Sequence, residues 1–152
     1  MKLSTRARYG VRLMIALAAA GGDKSVFLKD IAASEDISEK YLSLIVIPLR
    51  AAELIRSIRG ARGGYVLARE PRDISLRDIV EAVEGETCLV NCVKDPDICK
   101  RAPLCPTRDT WIALSNTIKE SMAAVTLAHL VAGQEGKKGI TRPKARQIKK
   151  GS

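Results

Sequence analysis

The sequence has 152 residues, of which 46% are hydrophobic and only 3% aromatic, so it has the size of a single domain with an aliphatic core. No apolar segment is long enough to span a membrane, and arginines interrupt the N-terminal apolar run, which argues against a signal peptide. The net charge of +9 divides into +5 over residues 1–70, −2 over residues 71–132 and +6 over residues 133–152, which suits either a polyanionic partner or a merely solvated surface. We therefore expect a cytoplasmic protein without a membrane partner, whose cysteines stay reduced.

The N-terminal part of the chain predicts three helices. The first runs from Thr5 to Ala20, with Ser4 as its N-cap and a pair of glycines after its end. The segment LKDIAASEDI predicts a short second helix. Ser38 is the expected N-cap of a third helix, EKYLSLIVIPLRAAEL, which Pro48 should kink or locally bend. The second and third helices thus meet at a tight turn.

In the segment IRSIRGARGGYVLARE, the apolar residues no longer follow the helical spacing. The segment predicts a β-hairpin closed by a glycine-rich turn. Together with the preceding helices, it has the element order of a winged helix-turn-helix domain, in which one short helix enters the major groove and the hairpin reaches toward the minor groove. Glycines let the main chain approach phosphates, and arginines fit a narrow groove or a guanine edge. The alternative is a structural turn whose arginines are only solvated.

A helix from Ser75 to Gly85 leads into a segment that holds all four cysteines of the chain, CLVNCVKDPDICKRAPLC, from Cys88 to Cys105. Their spacing lacks the CxxC pairs that are usual in structural zinc sites and in thiol oxidoreductases. An iron-sulfur cluster tolerates wider and more varied gaps. From spacing alone, a cluster, a zinc ion and unliganded thiols remain equally open.

From Thr107 a longer helix carries an apolar stripe that includes Trp111, Leu114, Ile118, Met122 and Val125. On periodicity alone, this stripe would be part of the core of the same chain. The tail that follows is basic and almost free of apolar residues, which predicts disorder. Its positive charges would either add sequence-independent affinity for DNA or have no measurable effect.

Enzymatic chemistry is not expected. The sequence has no nucleophile-base pair, Walker loop or dinucleotide fingerprint. Its single histidine, His129, lies in an apolar helical stretch and is expected to be a packed or surface residue, not a ligand.

Three stretches, MKLSTRARYGVR, SEKYL and AELIRSIRGARGGYVLARE, resemble the Rrf2 family of bacterial winged-helix transcription regulators, which includes IscR-, NsrR- and CymR-like iron-sulfur cluster regulators. The resemblance implies a mainly α fold with a small β-hairpin, and a homodimeric repressor or activator, here taken as a repressor, of a double-stranded DNA operator. It divides the chain into a winged helix-turn-helix domain (1–84), a cysteine-rich cluster-binding loop (85–106), a dimerisation helix region (107–132) that crosses to a second protomer, and a basic disordered tail (133–152).

The residues expected to contact DNA lie at the start of the recognition helix and in the wing: Ser38, Lys40, Tyr41, Arg59, Arg62, Gly63 and Gly64. The resemblance implies major-groove contacts for the first three and a minor-groove contact for Arg59. An alternative for Tyr41 is that its ring packs under the turn. Ser43 stands where some members have a glutamate that selects the operator, so the operator sequence does not carry over.

The cysteines that match the family's iron-sulfur ligands are Cys92, Cys99 and Cys105. With the resemblance, a 2Fe-2S cluster is favoured over a 4Fe-4S cluster. Arg108 stands where some members have a histidine ligand, and arginine has no lone pair for a metal. Cys88 is the candidate fourth ligand, and its alternative is a small buried apolar residue.

Two alternative functions remain open. One is a cluster-free winged-helix regulator switched by thiol redox chemistry or a protein partner. The other is a small iron-sulfur electron carrier or zinc-structured adaptor, which has no need of the wing.

Overall fold

The computed structural model describes residues 3–137, which form seven α-helices and one antiparallel hairpin. The elements are α1 (Thr5–Ala19), α2 (Leu28–Glu35), α3 (Glu39–Ala51), β1 (Ile55–Ile58), β2 (Gly64–Leu67), α4 (Leu76–Glu84), α5 (Asn91–Lys94), α6 (Arg108–Ala124) and α7 (Leu127–Lys137). The expectation of a mainly α fold with a small hairpin is confirmed. No helix in this part of the chain is long and apolar enough to cross a bilayer.

The predicted helix starts are confirmed by their capping bonds. The hydroxyl oxygen of Ser4 accepts from the N–H of Ala7, and that of Ser38 accepts from the N–H of Tyr41, both at 3.1 Å. Ser75 forms a reciprocal capping box with the third residue of α4. Because each cap satisfies backbone donors that the first helical turn leaves unpaired, the residue preceding each helix fixes where it begins.

The core is built mainly from aliphatic side chains of α1, α3 and α4, as the scarcity of aromatics predicted. The fully buried side chains include Leu13, Met14, Leu17, Leu42, Ile45, Leu49, Ile79 and Val80. Helix α3 contributes one buried face and continues through Pro48 to Ala51, although proline has no N–H to donate within the helix. Burial of this face leaves the opposite face of α3 exposed.

The wing, which is the hairpin of β1 and β2, is hydrogen-bonded to the segment between α1 and α2. Strands β1 and β2 pair in the register Ile55 with Leu67 and Ile58 with Gly64. Beyond them, Val26 forms an isolated bridge with Tyr65, through two N–H···O=C bonds of 2.9 Å. The segment before α2 therefore acts as a third, one-residue strand that holds the hairpin against the helices.

The C-terminal part differs from the single long helix expected from Thr107. Helix α6 ends at Ala124, and α7 begins at Leu127. The intervening backbone pairs with the start of α4: the N–H of Leu76 donates to Val125 O, and the N–H of Leu127 donates to Ile74 O, both at 2.8 Å. These bonds and the complete burial of Leu127 divide the helix, so Val125 is extended and does not continue the stripe.

Helix α7 starts with a reciprocal cap. The N–H of Thr126 donates to His129 Nδ1, and the N–H of His129 donates to the Thr126 hydroxyl, both at 3.3 Å. His129 is exposed, which agrees with the expected packed or surface position. The predicted tail boundary at residue 133 falls inside α7, and residues 138–152 lie outside the described residues.

Candidate nucleic-acid interface and cysteine loop

In the first turn of α3, some side chains are engaged in holding the helix and others are free to bind DNA. The Ser38 hydroxyl is engaged as the N-cap, and the Ser43 hydroxyl donates to the Lys40 carbonyl at 2.7 Å. Lys40 itself is exposed, so its ammonium group is the available cation of this turn. The structure thus gives Ser38 a definite positioning role.

Tyr41 is half-buried, and its ring packs edge-to-face on Tyr9 of α1, with centroids 5.7 Å apart and planes at 88°. The Arg12 guanidinium lies 5.5 Å from the Tyr9 ring centroid and forms a 2.8 Å ion pair with Glu35 at the end of α2. Arg12 also donates to the Glu35 carbonyl. We call these four residues the tyrosine brace; it joins α1 to both helices of the helix-turn-helix.

Arg59 and Arg62 are exposed in the turn of the wing. Within residues 3–137, neither arginine forms an ion pair with a carboxylate. The Arg62 carbonyl accepts from the Ser25 hydroxyl, which ties the turn to the segment before α2. The backbone of the turn is therefore held while the two guanidinium groups remain available for phosphate or base edges.

Gly63 and Gly64, two of the three glycines of the wing, have a packing role. A Cβ atom at Gly63 would lie 2.7 Å from the Ile58 carbonyl oxygen, and one at Gly64 would lie 2.5 Å from the Val26 carbonyl oxygen. Gly64 also has a φ of +130°, a backbone conformation that residues with a Cβ atom rarely adopt. These residues are required by the shape of the wing whether or not they touch DNA.

The cysteine loop consists of α5 and two 3₁₀ turns, Pro96–Ile98 and Ala102–Leu104. All four cysteines are half-buried free thiols. Within residues 3–137, no three cysteine, histidine or acidic side chains come together as a metal-binding group. The predicted ligands therefore share one loop, but the structure does not bring them to a common centre.

Helix α6 anchors this loop through three side chains on one face. Arg108 Nε donates to the Cys92 carbonyl at 3.3 Å, and the fully buried Ser115 accepts from the N–H of Leu89 at 3.1 Å. Lys119 forms a 2.6 Å ion pair with Glu86. We call Arg108, Ser115 and Lys119 the α6 anchor. Arg108, at the position where the resemblance placed a histidine of some members, thus binds the loop backbone.

Two hydrogen bonds, one of the α6 anchor and one at the end of the loop, lower the pKa of a side chain. The hydrogen bond from Lys119 lowers the pKa of Glu86 below its ordinary value. At the end of the loop, the hydrogen bond with the Thr107 hydroxyl, 3.3 Å from Sγ, lowers the pKa of Cys105. A lowered pKa increases the thiolate fraction, which is the form that binds metals and reacts with oxidants.

The apolar stripe of α6 is only partly buried within the chain. Met122 is buried and Ile118 is half-buried, but Trp111 and Leu114 are 37% and 44% exposed. The prediction that periodicity alone favoured, a stripe wholly in the core, is therefore wrong for the first half of α6. A separate apolar groove of about 340 Å³ lies between α1, α4 and α7, lined in part by Leu3, Val11 and Val80.

Sequence reasoning missed the tyrosine brace, the α6 anchor and two exposed apolar residues of α3, Leu44 and Ile47. The sequence shows that α3 is apolar on more than one face, but only the structure shows that the face with Leu44 and Ile47 is left exposed within residues 3–137. The brace and the anchor join residues far apart in sequence, for which the chain carries no local signal.

Comparison with known proteins identifies the family. The Rrf2 family model, described as an iron-dependent transcriptional regulator, matches residues 3–133. The HTH-type transcriptional regulator CymR of Bacillus subtilis (strain 168) is 40% identical over 136 residues, which cover 90% of this chain and 94% of that protein. Protein rrf2 of Nitratidesulfovibrio vulgaris is 39% identical over 131 residues, with coverage of 86% and 87%.

Solved structures agree with the sequence relatives. The structure of B. subtilis CymR, described as the global cysteine regulator, superposes with a TM-score of 0.72 over 88% of this chain and 98% of that one, at 40% identity. T. potens IscR superposes with a TM-score of 0.73 over 94% of each chain, at 35% identity. Together with the helix-turn-helix and the wing, these matches show that the chain belongs to the Rrf2 family of DNA-binding transcriptional regulators, which are not enzymes.

Proposed function

We propose that this regulator is a cytoplasmic homodimeric repressor whose cysteine loop holds an iron-sulfur cluster and adjusts its affinity for a two-fold operator. The observation that carries the proposal is the α6 anchor, because it connects the loop that holds every thiol of the chain to the helix with an uncovered apolar face. A change in the loop thus acts directly on α6.

DNA binding is assigned to the exposed cations of α3 and the wing. Lys40 and Arg59 are exposed and free of carboxylate partners within residues 3–137. In a winged helix, the first turn of the recognition helix reaches base edges, and the wing follows the backbone toward the minor groove. Ser38 and Tyr41 hold that first turn in place through the cap and the tyrosine brace.

The homodimer is proposed from the outer face of α6. Trp111 and Leu114 are large apolar side chains that the chain itself leaves exposed. A second copy of the same helix would cover them around a two-fold axis, as isologous contacts do. Such an axis would set the two recognition helices about one DNA turn apart.

The cysteines suit a cluster by their chemistry: four free thiols in one short loop, with the acidity of Cys105 increased by Thr107. Cys92, Cys99 and Cys105 would hold the group, with Cys88 as the fourth ligand. A bound cluster would supply a centre that responds to oxidants, nitric oxide or iron supply. The protein's own contribution is the α6 anchor, which fixes one end of the loop while the thiols remain only half-buried.

A second candidate is a cluster-free regulator that is switched by thiol redox chemistry or by a protein partner. Two observations favour it. The thiols do not converge within residues 3–137. The relative described as a global cysteine regulator matches this chain at 40% identity.

The two candidates are separated by purifying the full chain without oxygen and recording its visible spectrum, its mass by light scattering and its affinity for DNA. The first proposal predicts a coloured dimer whose colour is lost in Cys99→Ala, together with a change in DNA affinity. Cys88→Ala identifies the fourth ligand, because loss of a ligand alters the spectrum and makes the cluster labile. A colourless, metal-free dimer that still binds DNA specifically supports the second candidate and contradicts the first.

A further inference from the structure

The exposed face of α3 carries two large apolar side chains that no part of residues 3–137 covers. Leu44 and Ile47 are 53% and 63% exposed, whereas the other aliphatic residues of the same helix, such as Leu42 and Ile45, are completely buried. Lys40, Leu44 and Ile47 are separated by four and three residues, so they lie along one helical face. A cation at the first turn is thus followed by an apolar surface.

Leu44 and Ile47 line an open cleft of about 390 Å³ that is also lined by Tyr41 of α3 and Arg6 of α1. Arg6 is exposed and forms no ion pair within the described residues. The cleft therefore combines apolar side chains with one arginine side chain. A ligand that suits it presents a small apolar group close to a negative charge.

A thymidine nucleotide in the major groove meets this description. Thymine presents its C5 methyl group there, the characteristic apolar feature of the base edges, and each nucleotide carries a phosphate. Cytosine lacks the methyl group, and the purine edges present hydrogen-bonding atoms instead. Since the recognition helix of a helix-turn-helix lies in this groove, thymine methyl groups are the occupants that its position favours.

We propose that Leu44 and Ile47 are specificity-determining residues that recognise thymine methyl groups in each operator half-site, with Arg6 on the adjacent phosphate. The inference rests on the proposed binding of α3 in the major groove. Sequence selection here uses apolar contact in addition to hydrogen bonding.

The test replaces thymidine by deoxyuridine in the DNA, which removes only the C5 methyl group of the base. Operator sequences are first selected from random duplexes with the full-length protein, and each thymine of the selected site is then replaced in turn. At one or two positions in each half-site, the wild-type protein should bind the uracil duplex about fourfold more weakly, as expected for burial of one methyl group. Leu44→Ala or Ile47→Ala should bind the thymine duplex more weakly and lose the difference between thymine and uracil.

Ile98→Ala is the matched control, because Ile98 is also 63% exposed but lies in the cysteine loop. This variant should retain the full thymine preference, and circular dichroism should show that all three variants are folded. Equal binding of every uracil duplex by the wild-type protein would overturn the inference while leaving DNA binding intact. Dissociation of the dimer by Leu44→Ala without any uracil effect would assign the face to a second copy and would also overturn it. Failure to select any sequence would overturn both the inference and the proposed operator binding.

Discussion

Gly64→Ala tests how the wing is held against the body of the domain, and Gly60→Ala is its matched control. Both glycines have positive φ, +130° and +104°, so alanine should cost about 1–2 kcal/mol of strain at either position. A Cβ atom at Gly60 meets nothing within 4 Å, whereas one at Gly64 would lie 2.5 Å from Val26 O and 2.7 Å from its carbonyl carbon. Gly64→Ala must therefore separate the wing from Val26, whereas Gly60→Ala need not.

The additional cost follows from the bonds at that contact. Val26 and Tyr65 exchange two N–H···O=C bonds of 2.9 Å, each contributing about 0.5–1.5 kcal/mol. Gly64→Ala should therefore lower the free energy of unfolding by about 2–5 kcal/mol in total, or about 1–3 kcal/mol more than Gly60→Ala. Equilibrium urea unfolding followed by circular dichroism measures the difference. If the two variants agree within about 0.5 kcal/mol, the close approach of the wing to Val26 is refuted.

Three further substitutions test the proposed sites. Arg59→Ala should weaken specific DNA binding by about 1–3 kcal/mol in fluorescence anisotropy, whereas Arg72→Ala, an exposed arginine outside the wing, should not. Ser115→Ala should cost about 1–3 kcal/mol of stability because it leaves a loop N–H unpaired, whereas the exposed Ser121→Ala should be neutral; equal urea midpoints would contradict the α6 anchor. Tyr9→Leu should reduce the ratio of specific to non-specific DNA affinity by disturbing the tyrosine brace, and Tyr9→Phe should restore it; an unchanged ratio in the leucine variant would remove the brace from recognition.

The local elements were predictable from the sequence because their signals are local. Serine caps mark the starts of α1, α3 and α4, and glycines with alternating apolar residues mark the hairpin. The motif in the wing also identified the family, which the comparisons confirm. The DNA-contact residues, the cluster ligands and the domain boundaries were inferred through that resemblance, and they remain predictions.

Only the tertiary structure decided how these elements use their side chains. Backbone pairing with the start of α4 ends α6 at Ala124, although helical periodicity continues past that point. The ring of Tyr41 packs on Tyr9, thirty-two positions earlier in the sequence. Arg108 binds the loop backbone at the position where the resemblance placed a histidine of some members. Periodicity shows that a face is apolar, but burial depends on which elements reach that face, and long-range packing determines this. For that reason Leu44 and Trp111, alike in sequence pattern to the buried core, remain exposed on the surfaces that we assign to DNA and to a second protomer.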